Sequence, residues 1–182
     1  MSALFLLLAM AGVQDAPAAP APAPAPAPVD ATDQLKRGLA QCSQPDDVKK
    51  MCRSITHFTP KPDGSYETDT MLFISPIGPI TFETNSIVHV KNGAICGTAT
   101  TKTIDKARLF EGPNPMPESR KWIILDRIED AMTPILGKEV CTSFAAGDNG
   151  QMLASVTING VARPEQQRVR WISAADGYAV GQ

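Results

Sequence analysis

The chain has 182 residues, a net charge of −2 at neutral pH and 43% hydrophobic residues. At about 150 residues per domain this is room for one globular domain and an extension. The near-neutral balance argues against a general nucleic-acid binder or a polybasic membrane surface, and two histidines leave little for a His-rich metal site, so neither a metal nor a cofactor is expected.

Residues 3–13 form an uninterrupted apolar run. It is too short for a membrane span, which needs about 20 apolar residues, but it fits the core of a secretory signal. Ala9-Met10-Ala11 offers a small-x-small cleavage pattern, and Ala16 is a second possible end. Residues 1–15 are therefore read as signal-like, with no other segment able to span a membrane. Residues 16–29 alternate alanine and proline. Proline fixes φ, lacks an N–H and pushes its predecessor to extended geometry, so this stretch reads as a semi-rigid spacer. A single α+β domain is expected over 30–182.

Within it, Asp30 or Thr32 caps a helix expected over 33–41, with Leu35 and Leu39 on one face. Ser43 and Pro45, followed by Asp46 and Asp47, predict a second short helix ending near Met51. Strands are expected over 52–59, 66–74, 80–90 and 95–104. They are separated by the Pro62-Asp63-Gly64 turn, by Pro76, Gly78 and Pro79, and by the Asn92-Gly93 hairpin signal. Pro113, Pro115 and Pro117 lead into the main helix, whose apolar stripe is Ile124, Leu125, Ile128, Ala131 and Met132. Further strands are expected over 139–145, 152–158 and 168–173. Asn149-Gly150 and Asn159-Gly160 supply turns, and Pro164 marks an edge or a loop. This order predicts a curved antiparallel sheet of about seven strands, with the long helix packed on one face and short helices at the N-terminal side.

Cys42, Cys52, Cys96 and Cys141 lie inside the domain of a chain that looks exported. An even count in an oxidising compartment favours disulfides, and the expected pairs are Cys42–Cys52 and Cys96–Cys141. Loop-closure arithmetic gives upper estimates of about 3 and about 4 kcal/mol for them. A two-residue Asn92-Gly93 turn also places His89 opposite Cys96. An imidazole beside a free thiol is the minimum for a thiol hydrolase or acyltransferase, so Cys96 and His89 are the catalytic candidates. Arg163, Arg168 and Arg170 are candidates for a small anion-binding edge near Trp171. His57 reads as a strand residue, Asp126, Glu129 and Asp130 as a solvated helix face, and Asp148-Asn149-Gly150 as a turn without the ligand spacing of a calcium loop.

Three functions remain open on these residues. The first is an exported, periplasmic or secreted, non-catalytic envelope domain that binds a protein partner or a small ligand. Its site is expected in the concave sheet face or under the proline loop over 111–117. The second is a thiol enzyme built on Cys96 and His89. The third is a purely structural envelope module.

Overall fold

The structure, a computed structural model, describes residues 28–75 and 78–181. The signal-like segment and nearly all of the Ala-Pro spacer lie outside the described residues. In chain order the elements are β1 (Pro28–Val29), α1 (Thr32–Lys36), β2 (Ala40–Ser43), β3 (Met51–Cys52), β4 (Ser54–Pro60), β5 (Tyr66–Ser75), β6 (Ile80–Lys91), β7 (Ala94–Thr98) and α2 (Thr101–Asp105). These are followed by β8 (Arg108–Glu111), β9 (Asn114–Pro115), α3 (Glu118–Met132), β10 (Glu139–Ala146), β11 (Met152–Ile158), β12 (Val161–Ile172) and β13 (Ala179–Val180).

The expected open sheet covered by a helix is overturned. The fold is mostly β, with 51% in strands, and its centre is a closed eight-stranded antiparallel barrel. Strands β2, β4, β5, β6, β7, β10, β11 and β12 each pair with the next, and β12 returns to β2. This is an up-and-down meander, the arrangement that removes sheet edges by closure.

Local departures from the expected elements explain the closure. The first helix stops at Lys36, and Gly38 turns the chain at φ 67°. Residues expected to continue the helix instead form β2, which pairs with β12 on one side and β4 on the other. The expected second helix is a set of turns around an Asp46–Met51 bridge. The strand expected over 95–104 ends at Thr98, and α2 follows. Pro164 lies within a long strand, not at its edge. Arg163, Pro164 and Glu165 stand opposite the single Val156, a bulge in which the missing proline N–H breaks no ladder bond.

Period-two alternation sends one face of each strand inward. The inner cluster holds Ile95, Phe144, Ala154 and Val169, with Phe58, Tyr66, Val88 and Trp171 at its border, and α1 delivers Ala31 and Leu35 into it. The Trp171 ring meets Phe144 edge-on, with centroids 5.5 Å apart. On the same face, hydroxyls pair across strands: Thr56 with Thr70 at 3.0 Å and buried Thr68 with Ser86 at 2.8 Å.

The long helix is an appendage to this barrel. Ile124, Leu125 and Ile128 pack on a small cluster of Phe82, Ala107, Leu109 and Met116, where β5, β6 and β8 extend past the closed part. No residue of α3 is fully buried, and Trp122 is 62% exposed. The amphipathic stripe is real, but most of it covers a sheet extension, and only Met132 reaches the barrel itself.

The two packing environments predict different sensitivities. Phe144→Ala, at a site 2% exposed, should cost about 3–5 kcal/mol in a urea unfolding titration. Trp122→Ala should stay within about 0.5 kcal/mol. Equal losses would mean that α3 belongs to the core.

Candidate functional site

Strand register builds a cleft on the outer face of β4, β5 and β6. His57 lies opposite Asp69, and Asp69 opposite Asn85. One step along the strands, Ile55 lies opposite Met71, Met71 opposite Glu83, and Glu83 opposite Arg108 of β8. Two side-chain rows thus run side by side across the sheet, one polar and one with an apolar floor ending in an ion pair. Ala179 and Val180 of the C-terminal tail complete the walls. The cleft is open to solvent on one side, and its volume of about 520 Å³ is within the range of small-molecule sites.

The charges in the cleft are not all satisfied internally. Arg108 meets Glu83 at 2.6 Å, with the carboxylate side chain only 19% exposed. Asp69 accepts a hydrogen bond from the Asn85 amide and has no cation within ion-pair distance among the described residues. With Arg108 spent on Glu83, Asp69 is the unbalanced carboxylate. His57, facing it across the strands, can donate or accept according to tautomer.

The tail that walls the cleft is held by a clamp on Asp47. Its carboxylate accepts hydrogen bonds from the Tyr178 hydroxyl, from Gln151 Nε2 at 3.0 Å and from Arg170 Nη2 at 2.9 Å. Lys50 stands over the Tyr178 ring at 4.7 Å. Beyond Tyr178, β13 pairs in parallel with β3, whose Cys52 is bonded to Cys42. The Tyr178 hydrogen bond, more than the partial burial that opposes it and with help from Gln151 and Arg170, holds the Asp47 carboxyl below the usual carboxylate range. Burial, reinforced by donation to Asp47, pushes the Tyr178 phenol up.

His89 does lie opposite Cys96, but Cys96 is bonded to Cys141 and has no thiol to deprotonate. Cys42–Cys52 and Cys96–Cys141 are the two disulfides, and the described chain has no free cysteine. Two of the three arginines come together: Arg170 binds Asp47, and Asp47 and Gln151 line a polar recess with Arg168 and Arg53, whereas Arg163 sits exposed in the β12 bulge. Trp171 is inward-facing, half-buried core. In the proline loop Met116 is 4% exposed and packs with Phe82, Ala107 and Leu109.

A smaller cavity of about 300 Å³ opens toward the barrel interior between Val88, Ile95, Val140 and Met132, and no charged side chain lines it. Of the outer cleft, the sequence had marked only His57. The Pro62-Asp63-Gly64 turn could have aligned Asp69 with it. Placing Asn85 and Glu83 required the register across a bulge between Phe73 and Ser75, and placing Arg108 required a pairing of β6 with β8 that skips β7. No protein family, curated protein or solved structure matches the chain, so the site is read from its own geometry.

The clamp has a pH signature. A folded-state pKa below its unfolded value stabilises the fold above the unfolded value, near 3.8, and this contribution fades as pH falls through the folded pKa. Tyr178→Phe should cost about 1 kcal/mol at pH 7, at the low end for a bond to a charged group because Asp47 is part-exposed. Urea titrations at neutral and strongly acid pH should show the deficit shrinking in acid. A deficit independent of pH would assign it to ring packing.

Proposed function

We propose that the protein is an exported, non-catalytic binding module whose outer cleft takes a small molecule with an apolar body and a cationic, hydrogen-bond-donating head. One observation carries this reading: the apolar floor of Ile55, Met71 and Val180 lies next to an unpaired carboxylate, Asp69, in a cleft of suitable volume. An ammonium group pairs with the exposed Asp69 carboxylate, while the body of the ligand covers Met71, which is 37% exposed. The hydroxyls among the residues lining the cleft are engaged elsewhere, Thr70 with Thr56 and Thr84 with the Thr103 carbonyl. That favours binding over acyl transfer.

Export is part of the same reading. Two disulfides suit an oxidising compartment, and no described helix is long and apolar enough to cross a membrane. The signal-like run supplies a route to the cell envelope, and the Ala-Pro stretch a spacer ahead of the domain.

The test is calorimetric titration of the protein with arylalkylamines and with the matching arylalkyl carboxylates. Amines should bind and carboxylates should not. Asp69→Asn should weaken amine binding at least about tenfold, the loss of one charge-assisted contact. Met71→Arg should abolish it by filling the floor. If no amine binds at millimolar concentration, or if Met71→Arg binds like the parent, the cleft is not a binding site and a structural role is left.

A further inference from the structure

We propose that reduction of the Cys96–Cys141 bond turns the outer face of β6, β7 and β10 into a zinc site formed by His89, Cys96, Cys141 and Glu139. The proposal is independent of the cleft. It rests on a row of donors fixed by the sheet: His89 lies opposite Cys96, and Cys96 opposite Cys141. Glu139 is two residues before Cys141 on β10 and so shares its face.

The donor atoms are already close together. A ring nitrogen of His89, the Cys96 sulfur and a Glu139 carboxylate oxygen lie within 4.8 Å of one another, and His89 Nε2 is 3.7 Å from Glu139 Oε1. Among the described residues this is the one such gathering of histidine, cysteine and carboxylate. Tetrahedral zinc with sulfur, nitrogen and oxygen ligands at about 2.0–2.3 Å holds its donors roughly 3.3–3.8 Å apart. For these three donors the remaining gap is about an ångström, within reach of side-chain rotation, and the Cys141 sulfur, bonded to Cys96 on the neighbouring strand, joins them once that bond is cut. Cys96 is 1% exposed, whereas the His89 and Glu139 side chains are 51% and 37% exposed, so the ion is reached from solvent and backed by protein.

The disulfide gates the site. While the sulfurs are bonded to each other they offer no thiolate, and two donors are too few to hold zinc firmly. A phosphine reductant gives two electrons to the S–S bond and leaves as its oxide. Water supplies the oxygen of that oxide and the two thiol protons. Zinc then displaces those two protons, and the thiolates join imidazole and carboxylate. Lys91 is the competitor: its Nζ lies 3.1 Å from Glu139 Oε2 and must swing away when the ion arrives.

Cobalt(II) titration of the full chain tests this, with and without prior phosphine reduction, followed by displacement with zinc. One equivalent per reduced chain should give thiolate-to-cobalt charge-transfer absorption, and the oxidised chain should give none. Circular dichroism of the reduced chain should still show the barrel. His89→Gln and Glu139→Gln, both at exposed side chains, should each weaken binding at least about tenfold. Lys91→Ala should strengthen it. The Cys42→Ala/Cys52→Ala variant should bind like the parent; if it fails to fold, His89→Gln with all cysteines present decides. Equal binding by the oxidised chain, or parental affinity in both His89→Gln and Glu139→Gln, would overturn the proposal and assign the metal to loose thiols.

Discussion

The pairing of β7 on both of its edges converts a long meander into a barrel. Strands β6 and β10 do not hydrogen-bond to each other. They are joined by β7, which pairs with Val88–Lys91 of one and Glu139–Thr142 of the other. The Asn92-Gly93 turn, with both residues at positive φ, fixes its register on β6. Gly97 allows the close approach: a Cβ there would stand 3.1 Å from the Val88 side chain and 3.2 Å from the Ile87 carbonyl. The disulfide from Cys96 fixes the other edge. Ile95, pointing inward from the same strand, is part of the central cluster. Backbone, covalent and hydrophobic constraints therefore converge on β7.

The second organising contact is the Asp47 clamp. It ties the loop after β2, the turn before β11, strand β12 and the C-terminal tail to one carboxylate. It acts beside the short β3–β13 ladder and the packing of Tyr178 and Val180 on the cluster of Cys42, Cys52 and Ile55. The cleft wall therefore rests in part on a polar network. Stability and site geometry share one anchor.

Much of the strand content was legible in the sequence, because alternation and Asn-Gly turns are local signals. The hairpin register that sets His89 against Cys96 follows from two residues. Closure was not legible. It depends on whether residues 40–43 pair with Val169–Ile172, a contact between the two ends of the domain that no local pattern encodes. Leu35 and Leu39 supported a helix through residue 41, and Gly38 ends it earlier. The α3 stripe was legible, but its partner surface was not. Apolar spacing shows that a helix buries a face without showing what that face meets. The cleft is the harder case, since its residues come from the polar phase of the strands and become a site only once register aligns them.

Closure through a five-residue strand leaves two stretches of strand edge that β7 cannot reach. β8 covers Ile80–Glu83 on β6, and β1 covers Phe144–Ala145 on β10. Bare edges of this kind invite another chain to add a strand. Here the strand that covers β10 carries Pro28. A proline has no N–H to offer a further strand. Pro28 therefore also protects against polymerisation: the chain guards this seam with a residue that cannot propagate a sheet.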